Sequence, residues 1–295
     1  MKISIIIPNY NGENLLKANL PYILKAKDFA GNNIEEVILI DDGSRDGSVE
    51  TLKKDFAWVK IIKHKVNRGF SSAVNTGVRA AKGDLICLLN SDVVPENNFL
   101  ESVFPHFHNS KNFAVSLNEA GDFGWARGSF IDGFIGHSSG PKSLTPHDTF
   151  WVSGGSGVFR RSIWMELGGM DEKLLSPFYW EDVDLCYRAL KRGYRLIWDP
   201  DARVTHVHET TINRFPKTYV QRVMERNQIL FIWKNLTSAN FFRKHLIGLF
   251  KRLVGHPGYI RIVLMALERI GVLIKARKKE IKEAKISDEA IFSRF

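Results

Sequence analysis

Four clusters of polar residues each follow an apolar run of the kind that forms a buried strand. The clusters lie at residues 8–12, 41–44, 67–69 and 90–92. Polar loops are common because Asn, Asp, Gly and Ser make turns, and this alone would explain any one cluster. Asp41 and Asp92, however, extend their apolar runs directly, and a carboxylate in that position needs a cation or hydrogen-bond donors. The four clusters therefore favour a shared polar binding site.

A second group of chemically capable residues lies in FYWEDVDLCYRALKRG, residues 178–193. An apolar stripe at helical spacing predicts an α-helix here. Asp184 and Arg188 are four residues apart and can form an ion pair, so we interpret Asp184 as structural. Glu181 and Asp182 remain at the helix N-terminus, where they either match the helix dipole or act on a substrate.

The elements that must position these residues alternate along the first part of the chain. Apolar strands are predicted at residues 2–7, 35–41, 58–64 and 84–90, with helices at 13–27, 48–56 and 71–82. Such alternation predicts parallel strands and an α/β layered domain. In these sheets ligands bind beyond the carboxyl ends of the strands, where the polar clusters lie.

Composition narrows the class of protein further. With 44% hydrophobic and 25% charged residues, the chain has the composition of a globular protein. Cys87 and Cys186 both lie in apolar surroundings and are predicted to be buried thiols, which fits a reducing compartment such as the cytoplasm. No signal peptide is predicted, and no uncharged apolar run approaches the roughly 20 residues that a membrane span needs.

Positive charge is concentrated in the last part of the chain. Residues 214–295 hold 18 Lys and Arg against 6 Asp and Glu, a net charge of +12, whereas the first 213 residues sum to −2. Because this charge is confined to the tail, nucleic acid is not predicted as a partner. Residues 259–275 have an amphipathic helical pattern. The segment 240–285 that contains them either packs on protein, including a second subunit, or binds an anionic membrane surface.

The motifs, taken in order, resemble one known family. They are SIIIPNYNGENLL, VILIDDGSRDGS, NRGFSSAVNTGV, GDLICLLNSDVVP, VSGGSGVFRRS, FYWEDVDLCYRALKRGY and ARVTHVH. The set is similar to the inverting nucleotide-sugar glycosyltransferases of family 2, which have the GT-A fold, and most similar to their rhamnosyltransferase-like branch. The resemblance implies a GT-A catalytic domain at residues 1–212, with a mostly parallel sheet flanked by helices. A basic amphipathic helical extension would follow at residues 213–295.

The resemblance implies a metal site at Asn90, Ser91 and Asp92, where the family often has Asp-x-Asp. A single carboxylate, that of Asp92, would bind Mg²⁺ or Mn²⁺, and the ion would bridge the two phosphates of the nucleotide-sugar. His206 would be a further metal ligand. Two alternatives remain open, because Asp92 could instead cap a helix formed by PENNFLESV and His206 could be structural.

The family's nucleotide pocket is also implied, for a donor carrying UDP or dTDP. Asp41 would accept the ring N–H of the base, while Asp42 either shares this role or caps the turn DDGS. Asn75 is unfavourable inside a helix and either faces the nucleotide or is solvated. The other residues expected to bind the nucleotide-sugar, besides those of the metal site, are Pro8, Tyr10, Asn11, Glu13, Arg68 and Gly69.

In the resembled family a Glu-Asp pair supplies the catalytic base. This implies Asp182 as the base and Glu181 as its support or as an acceptor contact. One base suffices for a single in-line displacement that inverts the sugar carbon. Gly154 and Gly155, which allow close approach of the backbone, and Trp180, whose ring suits stacking on a sugar, are expected at the acceptor.

The resemblance implies transfer to a hydroxyl of a glycan or lipid-linked acceptor in cell-surface polysaccharide synthesis. The enzyme is expected in the cytoplasm, with peripheral attachment to the inner face of the membrane and homo-oligomer formation both left open. The alternative function is that of a nucleotidyltransferase acting on sugar phosphates. Such an enzyme should carry a Gly-rich phosphate loop near the N-terminus, and PNYNGENLL is poor in glycine.

Overall fold

The computed structural model describes residues 1–119, 124–206 and 215–295. The predicted division between residues 212 and 213 therefore lies outside the described residues, as do the last two residues of the ARVTHVH motif.

The N-terminal part alternates strand and helix as predicted. Its elements are β1 (Ile3–Asn9), α1 (Glu13–Asp28), β2 (Ile34–Asp41), α2 (Ser48–Asp55), β3 (Lys60–Lys63), α3 (Phe70–Ala80) and β4 (Leu85–Leu89). All five residues of β4 are buried, as is nearly all of β1. Because helices cover both faces of a parallel sheet, both sides of its central strands are buried. The sequences of these strands are therefore continuously apolar and do not alternate with polar residues.

The remaining strands extend this sheet and add a separate hairpin. The elements are β5 (Val93–Pro95), β6 (Asn112–Glu119), β7 (Ala126–Ile131), β8 (Phe134–Ser139), β9 (His147–Asp148), β10 (Ser156–Arg160), α4 (Arg161–Leu167), α5 (Glu181–Lys191) and β11 (Arg195–His206). The sheet order is β3-β2-β1-β4-β10-β6-β11-β5, with β9 paired to β11, while β7 and β8 form the hairpin. Pairing is parallel from β3 to β4 and mixed beyond, because β10 runs antiparallel to both of its neighbours.

The helix predicted from PENNFLESV onward is wrong. After β5 the chain makes a series of turns and then a 3₁₀-helix at Phe104–His108. The side-chain oxygen of Asn32 accepts the backbone N–H of Leu100 at 3.1 Å, and the side chains of Phe99, Leu100 and Val103 are buried. Contacts with distant parts of the chain thus determine the conformation of this segment and override its local helical propensity.

The C-terminal extension is helical. Its helices are α6 (Lys217–Asn235), α7 (Ala239–Gly255), α8 (Ile260–Leu267), α9 (Ile270–Glu283) and α10 (Asp288–Phe292). The helix predicted over 259–275 is divided between α8 and α9. Arg269, at the division, donates hydrogen bonds to the carbonyl oxygens of Lys173 and Leu174 at 2.7 and 2.8 Å. No described helix is long and apolar enough to span a membrane.

The extension and the sheet share one hydrophobic core. Buried side chains of α3, α5, α6, α8 and α9 belong to a single cluster. Buried ion pairs tie α5 to the extension, joining Asp184 to Lys234 (2.9 Å), Arg192 to Glu280 (2.8 Å) and Lys191 to Asp288 (2.6 Å). Packing on the main domain, one of the two alternatives for the tail, is therefore correct for these helices. Cys87 and Cys186 are buried free thiols, as predicted.

Candidate active site

A cavity of about 910 Å³ lies beyond the carboxyl ends of β1, β2 and β4, beside the N-terminus of α5. The structure thus brings together the two groups of residues that the sequence singles out. The predicted residues that line the cavity are Pro8, Tyr10, Asp42, Gly69, Asn90, Ser91, Asp92, Gly154, Gly155, Glu181, Asp182 and His206.

Asp92, His206 and Glu119 form a hydrogen-bonded chain at one side of the cavity. Nε2 of His206 lies 3.2 Å from Oδ1 of Asp92, and Nδ1 lies 3.0 Å from Oε1 of Glu119. Burial disfavours the charged imidazole, but the hydrogen bonds to the two carboxylates outweigh burial and raise the pKa of His206 to about 9. The ring is therefore held in one orientation by a carboxylate on each side.

This arrangement fits a divalent cation. Two donor atoms 3.2 Å apart are close enough to bind the same ion. A metal-binding histidine typically gives its other ring N–H to a carboxylate, which is the position of Glu119. Within the described ranges no three His, Cys, Asp or Glu side chains form a metal-binding group. An ion here would therefore depend on substrate oxygens and water, as Mg²⁺ commonly does.

The helix-capping alternative for Asp92 is wrong. The residues that follow it form β5 rather than a helix. Asp92 is 6% exposed, and that small exposed surface faces the cavity. Asp92 is thus a buried carboxylate directly before β5. The positively charged imidazole of His206 beside it balances its charge.

Asp41 and Asp42 have different surroundings. Asp41 is fully buried, accepts hydrogen bonds from the Asn9 side chain and the Ser44 backbone, both at 3.3 Å, and is not part of the cavity lining. Asp42 lines the cavity and accepts the backbone N–H groups of Arg68 and Gly69 at 2.9 and 2.8 Å. The turn-capping role considered for Asp42 thus belongs to Asp41, and Asp42 is the carboxylate that a ligand could contact.

Asn11 and Glu13 lie behind the cavity wall. Asn11 accepts the backbone N–H of Arg45 at 2.8 Å. Glu13 accepts the N–H of Gly47 at 3.1 Å and the hydroxyl of Thr51 at 2.9 Å, at the start of α2. Both side chains therefore fix the loop between β2 and α2. Neither lines the cavity, so the predicted direct contact with a nucleotide is not seen.

Arg68 and Asn75 are not among the residues that line the cavity. The guanidinium of Arg68 lies 3.4 Å from a carboxylate oxygen of Glu172. Asn75 is buried and donates to the Met170 carbonyl at 2.8 Å while its oxygen accepts the Met170 N–H at 3.0 Å. Neither alternative for Asn75, nucleotide contact or solvation, is correct, because the residue joins α3 to the segment after α4.

Glu181 and Asp182 occupy the N-terminus of α5 at the cavity. Oδ2 of Asp182 accepts the N–H of Gly154 at 3.1 Å, and Oδ1 accepts the N–H of Val183 at 2.8 Å. Burial raises the pKa of Asp182, against the effect of these backbone donors. Burial also raises the pKa of Glu181 well above the ordinary range, and the charge of Asp182 raises it further. Two perturbed carboxyl groups in a cleft are typical of an active site.

Gly154 and Gly155 run along the cavity wall between these two groups. A Cβ at Gly155 would lie 2.4 Å from Nδ2 of Asn90, so only glycine leaves room for that side chain. The carbonyl oxygen of Gly155 also accepts the Asn90 N–H at 2.9 Å. The glycines therefore position Asn90 and Asp182, and whether they also meet an acceptor stays a prediction.

Trp180 is not in the cavity lining, contrary to its predicted contact with an acceptor. Its ring packs against Phe231 of α6 with centroids 5.1 Å apart. Trp180 and Tyr179 both have positive φ angles, 75° and 70°, which turn consecutive side chains in different directions. Phe178 and Tyr179 line the cavity instead.

Several residues of the site were not predicted. Phe215 and Tyr219 line the cavity and approach Phe178, with ring centroids 5.7 and 6.1 Å from it. Asn227 binds the backbone of the loop before α5, donating to the carbonyl oxygens of Phe178 and Tyr179. The one sequence signal for Asn227 is an amide inside an apolar helical segment.

A mixed sheet with a polar cavity beyond its strand ends is the arrangement of a nucleotide-binding α/β enzyme. Comparison with known proteins specifies this class further. Residues 4–168 match the profile of glycosyl transferase family 2. The match covers more than half of the chain, so the chain belongs to glycosyl transferase family 2. The predicted family is confirmed, while the rhamnosyltransferase-like branch stays a prediction. Glu181 and Asp182 lie beyond the matched segment.

Two curated relatives illustrate the similarity. The chain is 33% identical over 186 residues to a pre-mycofactocin glycosyltransferase of Mycobacterium tuberculosis, covering 60% of this chain and 38% of the relative. It is 23% identical over 239 residues to a poly-β-1,6-N-acetyl-D-glucosamine synthase of Staphylococcus aureus, covering 77% of this chain and 55% of the relative. The alignments thus span about two fifths to about half of these proteins' own length.

Solved structures show the same fold. GalNAc-T7, crystallised with UDP, GalNAc and Mn²⁺, aligns with a TM-score of 0.66 and 16% identity over 88% of this chain and 57% of that chain. Residues 1–349 of S. aureus TarS align with a TM-score of 0.58 and 18% identity over 96% and 89% of the two chains. The predicted GT-A fold is thereby confirmed.

Proposed function

We propose that this chain is a metal-dependent inverting glycosyltransferase that moves a sugar from UDP or dTDP to an acceptor hydroxyl. The observation that carries the proposal is that Asp182 and the Asp92–His206 pair line the same cavity. A proton acceptor and a cation-binding pair can therefore face one bound donor. Family membership supports the reaction class.

Asp182 is the proposed general base. It takes the proton of the acceptor hydroxyl as that oxygen forms its bond to the anomeric carbon. The bond from this carbon to the phosphate oxygen breaks, and its electron pair leaves with the nucleoside diphosphate. One displacement inverts the carbon. The backbone donors at Gly154 and Val183 hold both oxygens of Asp182, which orients the carboxylate.

Asp92 and His206 are the proposed metal ligands, with Glu119 orienting the histidine. When bound there, Mg²⁺ or Mn²⁺ would neutralise the negative charge that develops on the diphosphate. Metals bind neutral imidazole, so the proton that the two carboxylates favour on His206 must leave when a metal binds. Mn²⁺ in the GalNAc-T7 structure supports a divalent cation and does not decide between the two metals.

The donor and acceptor are proposed in outline. Asp42, Pro8 and Tyr10 line the part of the cavity nearest β1 and β2, where we place the nucleotide. The rings of Phe178, Phe215 and Tyr219, named above, offer apolar faces for the acceptor. The polysaccharide synthase among the relatives supports a glycan acceptor.

A screen of nucleotide-sugars for release of free nucleoside diphosphate tests this function. We expect release with a uridine or thymidine donor, and loss of release in Asp182→Asn. A protein that instead joins a sugar phosphate to a nucleoside triphosphate would be the nucleotidyltransferase considered above. Nothing in the cavity favours that alternative, because the loop after β1 contains a single glycine, Gly12.

A further inference from the structure

Several apolar side chains of α8 and α9 are about half exposed, and the outward side of α7 is open to a greater extent. Its large apolar side chains are exposed in one stripe, with Phe250 68% and Val254 66% exposed and Leu246 and Ile247 both half exposed. Ile131, at the end of β7, is exposed as well. Exposed apolar stripes of this size are typical of interaction surfaces.

A cavity of about 640 Å³ adjoins this stripe, between α7 and the turn of the β7–β8 hairpin. Its basic lining residues are Lys244, Lys251, Arg252 and His256. Asp132, in the hairpin turn, is the acidic one among its lining residues. Across the described residues, no salt bridge joins Lys244, Lys251 or Arg252 to a carboxylate. The cavity therefore presents a net positive charge, since three Lys and Arg side chains face a single carboxylate.

Two features give this cavity a fixed shape. The guanidinium of Arg252 stacks on Phe134 at 3.6 Å from the ring centroid and lies 3.3 Å from the hydroxyl of Tyr259. Gly248 lies so close to the hairpin that a Cβ there would be 2.1 Å from the Asp132 carbonyl oxygen. The helix and the hairpin thus hold the basic groups beside the apolar stripe.

We propose that this α7 face, consisting of the basic cavity and the stripe Leu246, Ile247, Phe250 and Val254, docks the protein on an anionic phospholipid surface. The basic cavity would take a lipid phosphate, and the exposed apolar side chains would enter the boundary between headgroups and acyl chains. The charge supports this occupant, because α7 carries four Lys or Arg residues and no acidic residue. A second copy of the chain would bring the same positive charge against itself.

The α7 face is connected to the active site through β8. Phe134, in the basic cavity, begins this strand, and His137 further along it lies 6.1 Å from Trp180 between ring centroids. Trp180 directly precedes the catalytic pair. Docking by α7 would therefore bring the catalytic cavity close to lipid-linked acceptors, a point that rests on the proposed function. The docking itself does not depend on it.

Co-sedimentation of the full chain with vesicles tests the proposal. We expect binding to vesicles of phosphatidylcholine with phosphatidylglycerol, and little binding to phosphatidylcholine alone. Each Lys or Arg near an anionic surface contributes about 1 kcal/mol, so Lys244→Gln with Lys251→Gln should weaken binding about 25-fold. The matched control is Lys53→Gln with Lys54→Gln on α2, which removes the same charge from another exposed helix and should bind as the parent protein does.

A second pair of variants tests the apolar stripe. Val254→Ser should weaken vesicle binding, whereas Val66→Ser, at a valine that is 65% exposed on the catalytic domain, should not. Equal loss in both lysine pairs would overturn the proposal, because net charge alone would explain it. So would binding of inorganic phosphate in the α7 cavity with no vesicle binding, or a dimer of the parent protein that Val254→Ser dissociates. Nucleoside diphosphate release, measured without vesicles, should be unchanged in all these variants.

Discussion

The side-chain nitrogen of Asn227 lies 2.9 Å from the carbonyl oxygen of Phe178 and 3.0 Å from that of Tyr179. A residue of the C-terminal extension thus binds the backbone that leads into α5. Tyr179 and Trp180 hold positive φ angles, which non-glycine residues adopt only at a cost of about 1–2 kcal/mol each. Asn227 therefore stabilises a strained turn directly before Glu181 and Asp182, the proposed catalytic carboxylates.

Asn227→Ala should reduce turnover by roughly tenfold or more, because small misplacement of a catalytic group is costly. The donor KM should change little, since Asp42 and Asp92 lie on other elements. The variant should also be less stable by about 1–3 kcal/mol, the cost of leaving buried carbonyls unpaired. Steady-state kinetics well below the melting temperature measures the first effect.

Asn235→Ala is the matched control for this variant. Asn235 is also a buried asparagine of α6, but it binds Asp184 and the Phe231 carbonyl rather than the loop. It should lower stability and leave turnover near that of the parent protein. Equal losses of turnover in both variants would contradict a positioning role for Asn227.

Asp182→Asn should reduce turnover by roughly 100-fold or more while donor binding survives. The amide keeps the size of the side chain but cannot accept the proton of the acceptor. Turnover and donor affinity are to be measured separately, the latter by titration with the nucleotide-sugar. If Asp182→Asn turns over normally and Glu181→Gln does not, the base is Glu181.

Removal of divalent metal should abolish transfer, and so should Asp92→Ala. Both changes would leave the diphosphate charge without its counter-ion. Asp148→Ala, at a half-buried aspartate of β9 paired with Arg195, is the control and should keep activity. Readdition of Mg²⁺ or Mn²⁺ in separate titrations shows which ion restores release of nucleoside diphosphate. Full activity of the parent protein in EDTA would remove the metal from the mechanism.

Glu181→Gln should stabilise the protein at neutral pH. Burial and the nearby charge of Asp182 raise the pKa of Glu181 in the folded state. A carboxyl group with a raised folded pKa binds its proton more tightly when folded, so stability falls as pH rises from the unfolded pKa through the folded one. Glutamine has no charge to bury and removes this penalty.

The measurement is the melting temperature of Glu181→Gln and of the parent protein at several pH values. The advantage of the glutamine variant should be small near the ordinary carboxyl pKa and should grow as pH rises. If the difference in melting temperature does not change with pH, or if the variant is the less stable protein at the higher pH, the buried charge of Glu181 does not destabilise the fold.

The strands and the cavity could be predicted because their signals are local. Asp92 ends an apolar run, and Glu181 and Asp182 start a periodic one, so sequence alone places them at strand and helix ends. The common direction of parallel strands then brings those ends together. Distances along the chain do not matter to this reasoning, which is why it joins Pro8 to Asp92. His206 was implied by the family resemblance alone.

The misassigned residues depend on partners that lie far away in the sequence. Asn75 binds Met170, 95 residues later, and Arg68 binds Glu172, 104 residues later. Trp180 has a positive φ, and its ring packs on Phe231 of α6, 51 residues later. No local sequence pattern contains information on such contacts. The position of a residue in a motif therefore predicted that it lies near the cavity, but not which partner its side chain contacts.

The core shared by the sheet and the extension has a consequence for how the protein is synthesised. The buried partners of Lys191 and Arg192, Asp288 and Glu280, come 97 and 88 residues later in the chain. Until the ribosome has released those residues, α5 cannot be buried without leaving charges unpaired, which is strongly unfavourable. The nascent sheet should therefore stay incompletely folded and open to chaperones or proteases until the late helices emerge. Pulse-chase proteolysis of ribosome-bound chains of increasing length would show protection of α5 arising only with those helices.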